Sequence, residues 1–454
     1  MIKGVNTREL ILGVLLEVNE EGKPSHLVLK NVLTKYQFLP KQDRAFITRV
    51  CEGTLEYRIQ IDYIIDFFSK VKVEKMKPVI REILRSGVYQ LGYMDSVPDS
   101  AVCNEAVKLA QKKGFYNLKP FVNGVLRTIA RELDSVTYPS REEDPIGYLS
   151  VEYSMPPVLA ERWVKEYGEL TTEKMLVDFL QEKPVTIRCR DYLTSKKISR
   201  EETVESLKNQ GIKIMPAPYL DYAYYISGFD HIYTLDAFRE GRIQVQDVSS
   251  MLVAEAANPQ KGDYVIDLCA SPGGKSFHVA DKMEGYGMVD ARDVTPFKAD
   301  LILENMQRLK TINVKASVKD ATILDAESEC TADIVLADVP CSGYGVIGKK
   351  PDIKYHMTPQ KQKELVILQR TILDRAAQYV KSKGVLIYST CTIAKEENQE
   401  NVKWFQENYP FQLESLAPYL PEDLKGEIAE EGYLQLLPGV HKTDGFFLAR
   451  FRRK

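Results

Sequence analysis

The sequence predicts a multidomain chain of 454 residues: an all-helical bundle over residues 1–140, a linker and small α+β module over 141–235, and a doubly wound α/β domain over 236–454. Three observations predict it. Apolar residues recur at helical spacing through the first part, the middle reads strand, helix, strand, and from residue 236 five β-rich runs alternate with helical stretches. A chain of this length exceeds one compact core and fits two or three domains of roughly 100–200 residues.

In the first part, Leu10, Ile11, Val14 and Leu15 share one face, and Val79, Ile80, Ile83, Leu84 and Val88 repeat the pattern after Pro78. A third helix is expected from Pro98-Asp99-Ser100, with Ser100 as its cap, through Ala106, Val107 and Ala110 to Gly114. A fourth carries Phe121, Val122, Val125, Leu126 and Ile129. Helices following helices describe a bundle. Ser140-Arg141-Glu142-Glu143-Asp144-Pro145 is polar and reads as a linker. Beyond it Pro156-Pro157 opens a helix through Trp163, and Val185–Arg190 alternates like a strand. Ser199 and Glu202 have capping-box spacing for a helix that closes at Gly211, before the short strand Ile212-Lys213-Ile214. Tyr222, Tyr224 and Tyr225 either pack within a strand or offer rings to bases.

The third part places its strands at Val265–Leu268, Gly287–Asp290, Val314–Val318, Asp333–Ala337 and Val385–Tyr388. Ligands of such sheets bind beyond the carboxyl ends of the strands, and the chemically suggestive residues lie there. Cys269-Ala270-Ser271-Pro272-Gly273-Gly274-Lys275 joins the first strand to a helix starting at Ser276. Paired glycines let backbone approach a ligand, and the helix N-terminus offers free amides. The spacing is neither Gly-x-Gly-x-x-Gly nor Gly-x-x-x-x-Gly-Lys-Ser/Thr, which argues against a pyrophosphate cofactor. Asp290, ending the second strand, is placed to accept ribose hydroxyls of an adenosine, and Asp320, after the third, its adenine amino group. Adenosine without phosphate points to S-adenosylmethionine. Cys341, in Asp338-Val339-Pro340-Cys341-Ser342-Gly343, and Cys391, in Ser389-Thr390-Cys391-Thr392, follow later strands. Two thiols and an activated methyl group can methylate a pyrimidine ring carbon.

Composition sets the remaining expectations. Hydrophobic residues make up 44% and charged residues 28%, as in ordinary soluble proteins, and no stretch reaches the ~20 apolar residues of a membrane span. With no apolar signal-peptide core at the N-terminus, the expectation is a cytoplasmic monomer without a membrane partner. Seven cysteines without framework spacing argue against a disulfide scaffold, and the lack of Cys-x-x-Cys or a His-rich cluster argues against a metal site. The net charge of −3 conceals an asymmetry: residues 1–140 hold 21 Lys and Arg against 16 Asp and Glu, so the remainder carries −8. A basic N-terminal third suits nucleic acid; charge that merely solvates helix faces gives the same balance.

Two resemblances sharpen this reading. Gln42–Phe46, Ile83–Leu91, Asn104–Val107 and Phe121–Arg127 resemble the all-helical RNA-binding domain of the antitermination factor NusB. Asp267–Lys275, Asp338–Gly343, Lys350-Pro351-Asp352-Ile353-Lys354 and Ser389-Thr390-Cys391 together resemble the RNA cytosine-5 methyltransferases of the NOL1/NOP2/Sun group; Ser271, Val339 and Thr392 depart from the usual residues without removing a reactive group. The resemblance implies a Rossmann-like class I methyltransferase domain behind a NusB-like bundle and an RNA-recognition-motif-like module, with 16S ribosomal RNA as substrate. By family position Cys391 is the nucleophile that adds to C6 of cytosine, and Cys341 assists proton removal and product release. Asp338 would hold the cytosine ring and also touch the cofactor. Lys349, Lys350 and Lys354 are expected on phosphates near the flipped base.

A thiol of pKa ~8.5 is only about 3% ionised at pH 7, so Cys391 needs electropositive surroundings, with Lys275 a candidate source. Cys51, Cys103, Cys189 and Cys269 read as packing residues, although Cys269 borders the cofactor loop. Gln246-Asp247 is assigned to the start of a strand, Asp444–Phe447 to the closing hairpin of the sheet, and His441 to structure. Three other readings stay open: an RNA-binding assembly factor that keeps the fold without turnover, an amino-group methyltransferase, and a cytosine-5 enzyme acting on another RNA such as tRNA. An amino-group enzyme would carry Asn or Asp followed by Pro-Pro in place of the cysteine loop.

Overall fold

The computed structural model describes residues 5–193, 196–197 and 199–454. Two compact units emerge, one comprising the chain through Gln181 together with Ile347–Met357, the other Glu182–Val346 and Thr358–Lys454. Among the described residues no helix is long and apolar enough to cross a membrane.

The first unit is helical. Helices α1 (Thr7–Asn19), α2 (Ser25–Lys35), α3 (Lys41–Glu56), α4 (Arg58–Phe68), α5 (Pro78–Tyr93), α6 (Asp99–Lys112) and α7 (Lys119–Glu132) enclose a core that includes Ile11, Val14, Leu15, Ile83, Leu84, Val88, Leu126 and Ile129. Apolar residues three and four apart put these side chains on one face of each helix, and burying that face is what holds short helices together. Ser100 does not cap α6: Pro98 occupies the cap position without a side-chain bond, leaving Ser100 inside the first turn. The polar stretch after Ser140 is brief. Asp144 accepts the Gly147 amide and starts α8 (Pro145–Glu152), which packs on α4; α9 (Pro157–Tyr167) and α10 (Glu169–Phe179) follow. These helices extend the bundle, where composition assigned them to the middle module.

The segment Ile347–Met357 returns to this unit. The Ser25 amide donates to Asp352 at 3.2 Å, and the Ser25 hydroxyl bonds the same carboxylate. The Lys354 ammonium donates to the Glu56 carbonyl at 2.7 Å, and the Arg58 guanidinium stacks 3.6 Å from the Tyr355 ring centre.

The second unit contains two sheets that carry its function. In the smaller, β1 (Val185–Cys189), β2 (Lys213–Pro216), β3 (Ala223–Ser227) and β4 (Ile243–Val245) lie in the order β2-β3-β1-β4, all antiparallel. Ser199 accepts the Glu202 amide and caps α11 (Arg200–Asn209), as its spacing predicts. The module runs past residue 235, because β4 completes its sheet. Gln246-Asp247 therefore leaves a strand instead of starting one: Asp247 accepts the Ser249 amide and caps α12 (Val248–Ala257). Tyr222 gives its hydroxyl to Glu255 at 2.5 Å and Tyr225 reaches the Lys442 carbonyl at 3.4 Å, so both act as packing residues.

The larger sheet holds β5 (Tyr264–Asp267), β6 (Met288–Asp293), β7 (Val314–Val318), β8 (Ala332–Asp338), β9 (Val380–Thr390), β10 (Phe411–Leu413), β11 (Tyr433–Leu436) and β12 (Phe446–Arg453). The order is β10-β12-β9-β8-β5-β6-β7, with β11 on β12. Strands β9, β8, β5, β6 and β7 are mutually parallel, and β12 closes the sheet antiparallel to β9, in a hairpin with β11. Helices α13 (Gly274–Lys282), α14 (Pro296–Leu309), α15 (Pro359–Tyr379) and α16 (Gln399–Asn408) alternate with them. Both faces of the strands are buried, which explains their apolar runs. This doubly wound order brings the carboxyl ends of β5, β6, β8 and β9 to one edge.

Candidate active site

The loop from Cys269 to Lys275 turns the chain from β5 into α13. Gly273 has φ +102°, and a Cβ there would lie 2.3 Å from the Phe277 ring, so only glycine fits. A Cβ on Gly274 would meet nothing closer than the Gln246 side chain at 4.0 Å, which leaves room for a ligand over the loop. Asp267, at the end of β5, accepts the Ser276 hydroxyl at 2.6 Å while its Oδ1 is buried without a hydrogen-bond partner. Burial pushes that carboxyl up to about 7.

Asp290 is not where the sequence placed it. It is 0% exposed, and its oxygens accept from Arg292 at 2.7 and 2.9 Å and from the Ser317 hydroxyl at 2.6 Å. A carboxylate so enclosed holds strands together and offers nothing to ribose. The strand continues three residues further because β6 stays in register with β7 up to Asp293 opposite Val318. Asp293 thus occupies the carboxyl end; it accepts the Ser271 amide at 3.0 Å and the Val294 amide at 2.8 Å, with the Lys298 ammonium at 3.1 Å. The carboxylate at the end of the strand, which braces the glycine turn, is therefore Asp293. Met288–Val294 contains both candidates, and only sheet register separates them. Asp320 lies beyond β7, partly exposed, with Oδ1 on the Thr322 amide and hydroxyl at 2.9 and 2.7 Å. The Thr322 hydroxyl, then its amide, hold this carboxyl below the usual range. Cys269 packs beside the loop against the sheet core.

The two thiols follow adjacent parallel strands. Asp338↔Ser389 is the last pair of the β8–β9 ladder, and Cys341 Sγ and Cys391 Sγ lie 3.2 Å apart, both half-buried. Asp338 accepts the Lys275 ammonium at 2.6 Å and the Ser389 hydroxyl at 2.8 Å. Burial opposes the charge on Lys275, but Asp338 first, then Asp267 and Cys391, outweigh it and raise its pKa. A cation is thereby held beside Cys391. The Cys341 thiol is pushed well up, first by its hydrogen bond to Cys391, then by burial and the charges of Cys391 and Glu397.

Sequence reasoning missed what supports the pair. Glu397, 0% exposed, accepts the Ser342 amide at 2.9 Å and Gln369 at 2.9 Å. The Ser342 and Thr392 hydroxyls bond at 2.7 Å, and the Gly345 amide donates to the Cys391 carbonyl at 3.0 Å. Lys354 is a correction of the opposite kind. It is 4% exposed and spends its ammonium on the Glu56 carbonyl inside the helical unit, so it holds no phosphate. Lys349 is exposed and Lys350 half-exposed on the same segment.

A glycine turn with open space above it, carboxylates at the ends of β5 and β6 and beyond β7, and no phosphate cradle fit an adenosine carrying a sulfonium. Fold and site together define an S-adenosylmethionine-dependent methyltransferase. The model of the family 16S rRNA methyltransferase RsmB/F matches residues 254–452, and that of the NusB family matches residues 5–131. The chain is 36% identical, over all of both chains, to the probable ribosomal RNA small subunit methyltransferase B of Bacillus subtilis (strain 168). It is 31% identical to the protein so named from Synechocystis sp. (strain ATCC 27184 / PCC 6803 / Kazusa), over 99% of this chain and 100% of that one. The crystal structure of PH0851 matches with TM-score 0.81 and 27% identity over 99% of each chain. The chain belongs to the ribosomal RNA small subunit methyltransferase B family.

Proposed function

We propose that this protein methylates C5 of a cytosine in 16S ribosomal RNA through a covalent adduct between Cys391 and C6 of the base. The observation that carries the reading is the thiol pair, 3.2 Å apart, with the Lys275–Asp338 pair next to it. C5 of cytosine is a poor nucleophile. Addition of the Cys391 thiolate to C6 forms the S–C6 bond and moves the ring's double-bond electrons toward C5 and N3. Asp338, bonded to Lys275 and Ser389, would hold the N3 edge and with Lys275 supply the proton that N3 then needs. Residues 269–275 with Asp293, Asp320 and Asp338 would hold S-adenosylmethionine, which would supply the methyl group to C5 as its S–CH3 bond breaks and leaves the neutral thioether. Removal of the C5 proton restores the C5–C6 double bond and expels Cys391 as thiolate, and N3 returns its proton to the Lys275–Asp338 pair. Cys341 suits that last step because its ionisation is opposed chiefly by Cys391; once Cys391 is bonded to carbon that opposition goes, and Cys341 can release its proton to solvent and take the one from C5.

The helical unit, with exposed Lys349 and half-exposed Lys350 on its returning segment, is the proposed holder of RNA phosphates, so binding should weaken with salt. RNA carrying 5-fluorocytidine tests the chemistry. Wild-type protein should form a covalent complex that Cys391→Ala abolishes, with turnover falling by on the order of 10⁴-fold or more. Cys341→Ala should accumulate the complex on ordinary RNA. Undiminished turnover in Cys391→Ala would refute the mechanism, and mapping 5-methylcytosine in 16S RNA with and without the gene tests the substrate.

A further inference from the structure

The neighbours of both cysteines are held by two consecutive residues. On the Cys341 side, Glu397 accepts the Ser342 amide at 2.9 Å, while Gln369, which donates to Glu397 at 2.9 Å, also donates to the Pro340 carbonyl at 3.0 Å. Gln362 adds a third donor to Glu397 at 3.3 Å. On the Cys391 side, the Asn398 side chain accepts the Thr390 hydroxyl at 2.6 Å and donates to the Thr392 carbonyl at 3.0 Å. Residues before and after each thiol are thus fixed, Cys341 through Glu397 and Cys391 through Asn398. The backbone of the dipeptide is itself anchored: the Glu397 carbonyl accepts the Tyr388 hydroxyl at 2.5 Å and Asn401 at 3.1 Å. The Ser342–Thr392 hydroxyl bond at 2.7 Å joins the two halves.

We propose that Glu397-Asn398 is a paired positioning device for the cysteines, each residue aiming one thiol. Neither touches substrate in this role. Burying a carboxylate and a fully bonded amide behind an active site costs free energy that an apolar pair would avoid, and what the two polar residues provide is the fixed geometry of two loops from different strands. A misplacement near 1 Å can cost ~10²-fold in rate, and a 3.2 Å spacing between sulfurs leaves little slack. The device also divides the reaction. Asn398 governs formation of the adduct, because it places the nucleophile; Glu397 governs its resolution, because it places Cys341.

The inference rests on the adduct reading, and the experiment separates the two. Glu397→Gln and Asn398→Asp keep size and shape, and both leave the cofactor loop intact, so calorimetric S-adenosylmethionine affinity should stay within about 3-fold of wild type. On ordinary substrate RNA, Glu397→Gln should lower kcat by ~10–100-fold with KM little changed, and covalent protein–RNA complex should accumulate. On 5-fluorocytidine RNA, Asn398→Asp should form the complex ~10–100-fold more slowly, with none accumulating on ordinary RNA. Thr392→Val, which removes the bond between the halves and the acceptor of the Ala394 amide at 3.2 Å, should slow turnover, and Thr392→Ser, which keeps both bonds, should restore it. Should both dipeptide variants lose formation and resolution in parallel, or neither, the division of labour is wrong and the pair is merely structural. If wild-type protein traps no complex on 5-fluorocytidine RNA, the adduct reading itself falls instead.

Discussion

Lys354 in the helical unit and Lys275 in the methyltransferase unit are the same residue type, each with its ammonium shielded from water, yet they do opposite work. Lys354 ends on a neutral acceptor, the Glu56 carbonyl, and burial, set partly against Glu56, pulls its pKa down to about 7. Lys275 ends on the Asp338 carboxylate with Asp267 and Cys391 nearby, and its pKa rises despite burial. The charge of the partner, more than depth, decides whether a buried lysine is a fastener or a source of field. Asp290 and Asp293 repeat the contrast with the sign reversed: one is enclosed by a guanidinium and a hydroxyl, the other holds backbone amides at the edge of the sheet.

Four substitutions would break or sharpen these comparisons. Asp290→Ala should have the largest effect, on stability: Arg292 keeps Asp325 at 3.3 Å and the Ser328 hydroxyl at 2.6 Å, but losing its buried partner costs about 3 kcal/mol, visible in denaturant melts before any loss specific to cofactor binding. Lys275→Met should fold but lose ~10²-fold in kcat, the scale for removing one preorganised charge. The acid limb of its rate profile should also move to higher pH, since the cation favouring the Cys391 thiolate is gone; an unmoved limb would show that Lys275 acts only through Asp338. Asp293→Asn, which keeps the shape and removes the charge, should weaken S-adenosylmethionine binding about 10-fold by calorimetry with the melting temperature nearly unchanged.

Lys354→Met should have the smallest effect at neutral pH, and its value lies in the pH dependence. Because the folded pKa of Lys354 lies near 7, below the ordinary value near 10.5, the unfolded chain binds more protons between those limits. Its contribution is complete above the unfolded value and is lost as pH falls through the folded one, so stability rises from pH 7 toward 10 by up to ~1.4 kcal/mol per pH unit. Glu56, raised by burial to about 7, contributes below its unfolded value and loses that contribution as pH climbs to 7. Stability measured against pH should therefore dip near 7 in wild type, and the alkaline rise should flatten in Lys354→Met. An alkaline rise that persists in Lys354→Met would mean that a group other than Lys354 produces it.

Much of this was legible in the chain alone. Cys341 and Cys391 were identified as a reactive pair because each follows an apolar run ending in a motif with polar residues, and strand ends in parallel sheets converge. Gly273 and Gly274 stand out because paired glycines let backbone approach a ligand closely, although only at Gly273 does the backbone itself require glycine. Ser199 and Glu202 announced their helix by a local bond three residues long. Each of these rests on interactions within a few residues. The misplacements share the opposite property: the sequence ends the second strand at Asp290 and does not single out Asp293, because strand length is set by pairing with β7, and it gives Lys354 to phosphates because its partner, Glu56, lies 298 positions away. Glu397 escaped notice for the same reason, since its acceptor role depends on Ser342 and Gln369 on two other elements.

What the amino-acid sequence determined by itself is therefore the alternation of strands and helices, the motifs that follow the strands, and the edge of the sheet where they gather, because periodicity and turn chemistry act over short separations. Tertiary structure decided which of two aspartates ends the second strand, which lysine is buried against a remote carbonyl, and what holds two sulfurs within touching distance. Those choices depend on ladder register and on buried partners from remote segments, and such partners become neighbours only once the chain has closed around them.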